Sequence, residues 1–144
     1  GGSPLQNLIK LGFTETKISA ISISKNLDAG PIFLKKKLKL QGSAYDIFIR
    51  SSNVIEKMII YLLNNDIKPV KQKGAVTLFK RRLPYQSNIK DVNSIIELYD
   101  HIRMLDCDGY PKAFLEFKNF RIEFKNAQIN DKKEIKADVR IFKK

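Results

Sequence analysis

Residue types that carry much of enzyme chemistry are scarce in this sequence. Its 144 residues include one cysteine, Cys107, and one histidine, His101. A lone cysteine excludes an internal disulfide and leaves no set of thiolates for a structural zinc site. A lone histidine supplies no second imidazole to activate a cysteine nucleophile, which disfavours Cys/His and Ser/His/Asp catalysis. We therefore interpret Cys107 as an inert thiol and His101 as a surface or packing residue, and expect no metal cofactor.

Long apolar runs are missing as well. No stretch approaches the roughly 20 residues that span a bilayer, and the N-terminus lacks the basic, apolar and small-residue pattern of a signal peptide. Hydrophobic residues make up 43% of the chain and charged residues 29%, which disfavours intrinsic disorder. We expect a soluble protein of the cytoplasm that does not bind membranes, built as one domain or a domain with an appendage.

Acidic side chains are outnumbered. The chain has 27 Lys and Arg residues against 15 Asp and Glu, for a net charge of +12. Such a balance predicts attraction to polyanions or nucleotides. The asymmetry is sharpest between Asp66 and Asp91, where no acidic residue occurs, and there Arg81 and Arg82 are candidates for contacting substrate phosphates. The alternative is a solvated loop in a lysine-rich protein. The basic residues of this stretch are Lys68, Lys71, Lys73, Lys80, Arg81, Arg82 and Lys90.

Hydrophobic periodicity and turn residues divide the chain into alternating helices and strands. Ser3 and Pro4 predict a helix start with Ser3 as N-cap, and Ser43 with Asp46 predicts a capping box. Gly74–Phe79 is a candidate short strand. Helices are predicted over 4–11, 44–65 and 94–105, strands over 16–24, 31–40, 112–118, 120–129 and 134–142, and hairpin turns at 118–119 and 130–132.

Two motifs stand a fixed distance apart near the N-terminus. Gly1-Gly2-Ser3-Pro4-Leu5-Gln6 opens a helix, and Leu27-Asp28-Ala29-Gly30-Pro31 follows a predicted strand. Together they resemble the methionyl-tRNA formyltransferase-like family of 10-formyltetrahydrofolate-dependent enzymes, which includes sugar N-formyltransferases. The resemblance continues at Arg103-Met104-Leu105-Asp106 and at 109–114, and is looser after residue 66.

The resemblance implies roles for individual residues. It assigns catalysis to Asp28 and places Gly30 and Pro31 at the binding site of the co-substrate, 10-formyltetrahydrofolate. In the family, an Asn-x-His motif upstream of the Gly-Gly-Ser-Pro segment stabilises the tetrahedral oxyanion, while the aspartate orients the histidine or aids proton removal. Because this chain does not contain that motif, we expect it to begin in mid-protein and to be inactive alone.

The resemblance also implies the architecture. The expected fold class is α/β, the C-terminal part of a Rossmann-like formyltransferase domain followed by a small helix and a β-meander. The corresponding boundaries are 1–83 for the catalytic half-domain, 84–93 for a linker and 94–144 for the C-terminal segment. Association with the missing N-terminal segment is expected, and a homodimer is a candidate assembly.

Two acceptors of the formyl group remain open, methionyl-tRNA and a nucleotide-linked amino sugar, and both are anionic. The predicted strands after Pro111 are few for a closed OB-type barrel, which favours the sugar acceptor. An alternative function is a non-enzymatic module that binds nucleic acid. It would use Arg81 and Arg82 with other basic and aromatic side chains, namely Lys35, Lys37, Lys39, Tyr110 and Phe114.

Overall fold

The structure is a computed structural model that describes residues 2–144. Its mixture of helices and sheets confirms the expected α/β class, and none of the helices it describes is long and apolar enough to cross a membrane. The elements in chain order are α1 (Pro4–Lys10), β1 (Glu15–Ile21), β2 (Ile32–Lys39), α2 (Ala44–Leu63), a 3-10 helix (Pro84–Ser87), α3 (Ile95–Arg103), β3 (Ala113–Phe117), β4 (Phe120–Asn130) and β5 (Glu134–Lys143).

Local capping explains where the two longer helices begin. The Ser43 hydroxyl accepts a hydrogen bond from the Asp46 backbone N–H, and the Asp46 carboxylate accepts one from the Ser43 N–H at 2.9 Å. This confirms the predicted capping box, and the hydrogen bonds from Ser43 lower the pKa of Asp46. At α3, Ser94 caps Glu97 N–H at 3.1 Å, whereas the Glu97 carboxylate turns to the N–H of Asn93.

One local expectation holds only in part, and another is wrong. Ser3 occupies the predicted N-cap position of α1, but its side chain makes no capping hydrogen bond, and its hydroxyl accepts one from the Arg82 N–H at 3.3 Å. The segment Gly74–Phe79 is irregular and not a strand. Val76 and Leu78 are 84% and 89% exposed there, so the described residues offer this segment neither a strand partner nor an apolar surface.

The strands form two antiparallel sheets. β1 pairs with β2, with Glu15 opposite Lys39 and Lys17 opposite Lys37. The other sheet is a meander in the order β3-β4-β5. Its turns fall at 118–119, as predicted, and at 131–133, one residue later than predicted. Lys118 in the first turn has a positive φ of 49°. The parallel strands that define a Rossmann-like domain do not occur within residues 2–144.

The segment 84–93, predicted to be a linker, is partly ordered. It contains the 3-10 helix, and Ser87 at its end is buried. The Ile89 N–H then donates to the Phe114 carbonyl at 2.9 Å, which attaches the segment to β3. The proposed domain boundaries on either side stay a prediction.

One hydrophobic core joins the N-terminal and C-terminal parts of the chain. It combines residues of α1, β2 and α2 with residues of α3 and of the segment that follows it. Burial of these aliphatic side chains supplies the main driving force for folding. The core residues are Ile9, Leu38, Leu40, Ile47, Ile102, Met104, Leu105 and Ala113.

The end of α3 is also joined to both sheets by polar contacts. Arg103 Nη1 donates to the backbone carbonyls of Leu40 at 2.6 Å and Gly42 at 2.9 Å. The Asp106 carboxylate accepts a hydrogen bond from the Asn126 N–H at 2.6 Å, at an irregularity in β4. The Asp106 carbonyl accepts one from the Tyr45 N–H at 3.1 Å. Residues 103–106 therefore bind the end of β2, the start of α2 and the middle of β4.

His101 lies in this interior, where α1, α3 and the 3-10 helix region meet. It is 8% exposed, and its Nε2 has no hydrogen-bond partner among the described residues. Burial lowers the pKa of His101, and the positive charges of Arg82 and Lys10 lower it further. The backbone of Ser87 and the Glu97 carboxylate act in the opposite direction without reversing the shift. His101 is thus a packing residue whose protonation is disfavoured.

The buried histidine makes stability depend on pH. Because its folded-state pKa lies below the usual value of about 6.5, the unfolded chain binds a proton more readily as the pH falls. We expect the urea midpoint of the protein to drop between about pH 7 and about pH 5, and to drop less in His101→Gln. Above about pH 7 His101 is neutral in both the folded and the unfolded state. The urea midpoints of the wild type and of His101→Gln should therefore change with pH in the same way there. Equal pH slopes throughout would contradict the assignment.

Candidate functional site

The loop between β1 and β2 carries the predicted catalytic aspartate. Asp28 is exposed and has a φ of +56°, in the left-handed region that aspartate tolerates better than most residues. Asp28 lies in a weakly hydrogen-bonded turn, in which the Ala29 N–H donates to the Asn26 carbonyl at 3.4 Å. Asp28 is therefore an exposed loop residue, and loops are the usual location of catalytic side chains.

Gly30 allows this loop to press against β1. A Cβ at Gly30 would lie 1.7 Å from the carbonyl oxygen of Ser22, so a side chain at this position would displace the backbone. The Ser22 N–H in turn donates to the Pro31 carbonyl at 2.8 Å. Gly30 and Pro31, predicted to bind the co-substrate, thus have a visible structural function, and contact with a ligand stays a prediction for both.

A residue that the sequence did not single out completes the loop. The side-chain amide nitrogen of Gln72 donates to the carbonyls of Asp28 and Gly30, each at 2.8 Å. Reciprocal backbone hydrogen bonds between Val70 and Ile32, at 2.8 and 2.9 Å, bring Gln72 alongside. No local pattern indicates this role, because the contact spans more than forty residues of sequence.

The N-terminal motif positions the basic residues. A Cβ at Gly2 would lie 1.8 Å from the Phe79 carbonyl oxygen, so the glycine permits a close backbone crossing. The Asn7 side-chain amide spans the crossing, donating to the Gly2 carbonyl at 2.7 Å and to the Lys80 carbonyl at 3.3 Å. The motif therefore fixes the path of the chain into Arg81 and Arg82.

Arg81 and Arg82 differ although they are adjacent. Arg81 is exposed. Arg82 is partly buried, donates from Nη2 to the Gln86 carbonyl at 2.6 Å, and has a buried Nε without a partner among the described residues. Burial lowers the pKa of the Arg82 guanidinium. Of the two predicted phosphate contacts, Arg81 is the one with its side chain in solvent.

A cavity of about 750 Å³ lies elsewhere, between the start of α2, the end of α3 and the C-terminal sheet. Arg103 and Lys112 line it, but Arg103 is paired with Asp100 at 2.7 Å and Lys112 with Asp106 at 3.1 Å. Asp106 is thus a structural contact. Across residues 2–144, no group of three potential metal-ligating side chains is assembled.

Comparison with known proteins shows which family this chain resembles. Residues 84–142 match the family described as the C-terminal domain of methionyl-tRNA formyltransferase. The methionyl-tRNA formyltransferase of Mesoplasma florum is 22% identical over 130 residues, which cover 85% of this chain and 42% of that protein. The chain thus spans about two fifths of the length of this relative.

Solved structures agree. The methionyl-tRNA formyltransferase from Clostridium thermocellum superposes with a TM-score of 0.94 at 46% identity, over 100% of this chain and 63% of that one. WlaRD, a sugar 3N-formyl transferase solved in the presence of dTDP and 5-N-formyl-THF, shares the fold with a TM-score of 0.55 at 18% identity, over 95% and 59% of the two chains. Sequence motifs, fold and relatives together show that this chain is similar to the methionyl-tRNA formyltransferase-like family, with residues 84–142 matching the C-terminal domain of methionyl-tRNA formyltransferase.

Proposed function

We propose that this polypeptide is part of a 10-formyltetrahydrofolate-dependent formyltransferase that transfers a formyl group to an amine. The observation that carries the proposal is the Asp28 loop. Asp28 is an exposed residue on a backbone held at Ser22 and Gln72, within a chain that superposes on a formyltransferase with a TM-score of 0.94. A catalytic group has to be held in this way, because small displacements of a reacting group reduce the rate steeply.

The chemistry proposed for Asp28 is proton removal. Formyl transfer forms a bond between the acceptor nitrogen and the formyl carbon, breaks the bond from that carbon to the folate nitrogen, and releases a proton from the acceptor amine. A carboxylate beside the amine accepts that proton, and the departing folate nitrogen takes up a proton, so the overall transfer releases none. The negative charge on the formyl oxygen requires hydrogen-bond donors. In the family an Asn-x-His motif supplies these donors, and we propose the same for the complete protein.

The co-substrate supplies the formyl group when it is bound. Gly30 and Pro31 are proposed as the wall beside it. The space above Gly30 is occupied by the chain's own Ser22 carbonyl, and the Gly30 carbonyl accepts a hydrogen bond from Gln72. These two residues therefore contribute shape to the site rather than hydrogen-bonding groups.

Neutralising Asp28 tests the proposed role. In the full-length protein, Asp28→Asn should lower kcat for formyl transfer by at least about a hundredfold, the scale of losing a positioned base. The urea midpoint should barely change, because the side chain is exposed. Asp66→Asn, at an exposed position after α2, is the matched control and should keep full activity.

The same measurements distinguish the formyltransferase from the alternative function, a non-enzymatic module that binds nucleic acid. The face of β1 and β2 that carries Lys17, Lys35, Lys37 and Lys39 includes one acidic residue, Glu15, and favours a polyanion partner. Near-normal transfer by Asp28→Asn would remove Asp28 from the mechanism. Salt-dependent RNA affinity with no folate binding by the full-length protein would favour the non-enzymatic nucleic-acid module instead.

For the acceptor, we propose a nucleotide-linked amino sugar, with methionyl-tRNA as the alternative. Within residues 2–144, the C-terminal sheet is an open meander with β3 and β5 as its edges. Open sheets of this size offer little of the surface on which OB-type barrels bind nucleic acid. A sugar nucleotide presents phosphates, which the exposed Arg81 guanidinium suits.

Separate substitutions distinguish the two arginines. Arg81→Gln should raise the acceptor KM several-fold and reduce its salt dependence, with little change in the urea midpoint. Arg82→Gln should mainly lower the urea midpoint, because it removes the hydrogen bond to the Gln86 carbonyl. Lys125→Gln, an exposed change in the C-terminal sheet, is the control. If neither arginine variant changed the acceptor KM, the solvated-loop interpretation would hold.

Two exposed apolar surfaces indicate partners. On α2 a stripe of exposed side chains, including Ile55, Ile59 and Leu63, extends the apolar surface beyond the buried Ile47 and Met58. A helix with so wide an apolar surface is normally covered by more than one neighbour. We propose that it is covered by the N-terminal segment of the complete protein, since relatives such as that of Mesoplasma florum extend well beyond the aligned region.

The second surface is one face of the C-terminal sheet. Phe117, Phe120, Val139 and Ile141 lie on it and are 56%, 45%, 52% and 64% exposed. Large apolar side chains of 150–250 Å² at half exposure amount to roughly 400 Å² in total. This is about half of the roughly 800 Å² that each partner buries in a standard interface. We propose that this face joins two copies of the protein.

Placing a charge on that face tests the dimer. Sedimentation velocity of the full-length protein at micromolar concentration should show a dimer, and Ile141→Glu should show a monomer because the carboxylate would be buried without a partner. Arg140→Lys changes the neighbouring residue on the other face and should leave the dimer intact. A wild-type monomer at high concentration would exclude this interface.

A further inference from the structure

We infer that Gln72 is a positioning residue for formyl transfer, acting through the Asp28 backbone. The inference rests on the proposed function of Asp28. Gln72 does not need to touch a substrate for this role, since its amide nitrogen donates to the Asp28 and Gly30 carbonyls at 2.8 Å each. Substitution at Gln72 should therefore affect the rate of transfer more than the binding of either substrate.

The geometry explains why a primary amide is suited to this position. Its nitrogen carries two N–H groups, which can be directed at two acceptors at once. The two acceptors are carbonyls on either side of Ala29, and both belong to a loop in which Pro31 offers no N–H of its own. A hydroxyl has one donor, and a carboxylate, with none, would face two carbonyl oxygens. Among uncharged side chains, Asn and Gln alone supply both donors from one atom.

The backbone brings Gln72 to this place. Val70 and Ile32 exchange both backbone hydrogen bonds, which sets the two segments antiparallel. Two residues further along each segment, in opposite directions, Gln72 comes beside Gly30. The main-chain pairing ends where Pro31 begins the turn, and the Gln72 side chain continues the attachment to Gly30 and Asp28.

The other side of the loop is held independently. Gly30 lies against the Ser22 carbonyl, and the Ser22 N–H binds the Pro31 carbonyl. The Gln72 bond reaches the Asp28 backbone itself, and Asp28 has a positive φ, a conformation that needs support from its surroundings. Loss of the Gln72 amide should widen the range of positions that the Asp28 carboxylate samples.

The test compares variants of the full-length protein. Gln72→Ala should lower kcat about tenfold or more and leave the KM values for both substrates nearly unchanged. Gln72→Glu keeps the shape but has no donor when ionised. The ratio of its kcat to that of the wild type should therefore rise as the pH falls from about 8 to about 5, because protonation restores one donor. Gln128→Ala is the matched control, since Gln128 has an exposed side chain without a hydrogen bond in residues 2–144.

Hydrogen exchange supplies a readout that does not depend on activity. Amides of residues 25–30 should exchange faster in Gln72→Ala than in the wild type, while amides of the core helices should be unchanged. Unchanged exchange in this loop, or a wild-type kcat in Gln72→Ala while Asp28→Asn is inactive, would overturn the role of Gln72 and leave the proposed function standing. Absence of formyl transfer by the wild-type protein would overturn both.

Discussion

The arrangement of this chain depends on the contact between Arg103 and the backbone at the end of β2. Its guanidinium binds the carbonyls of Leu40 and Gly42, which leave the sheet just before α2 begins. Arg103 is also paired with Asp100 and lies over the Tyr99 ring, so its orientation is fixed within α3. A planar guanidinium can serve several acceptors in one plane, which an ammonium group cannot do. Through this contact the C-terminal helix is held against the first sheet.

Asp106 extends the same attachment to the second sheet. Asn126, to which it binds, has a positive φ of 53° at an irregularity of β4, and its N–H would otherwise lack a strand partner. Lys112 offsets the buried charge of the carboxylate at 3.1 Å. Hydrogen bonds to charged groups of this kind contribute more to stability than neutral ones. Arg103, at the end of α3, thus reaches the first sheet, and Asp106, just after α3, reaches the second.

Short-range information predicted much of this fold. The Ser43 capping box and the apolar periodicity of 44–65 gave α2 to within two residues of its observed end, and positive φ values confirmed both hairpin turns. The Asp28 loop was identified from its motif. What the sequence could not give were contacts that depend on tertiary structure. Gln72 binds a loop distant in sequence, and the burial of Arg82 follows from the approach of α3. Gly74–Phe79 has strand composition but pairs with no strand among residues 2–144.

The bond from Gln72 has a consequence for how the site can change over time. It is made to main-chain carbonyls, and every amino acid provides these atoms. Side chains at Leu27 and Ala29 can therefore be exchanged without loss of this support. The shape of the loop and the chemical character of its surface are separable properties, so a protein built this way can acquire a different acceptor preference while the aspartate keeps its place.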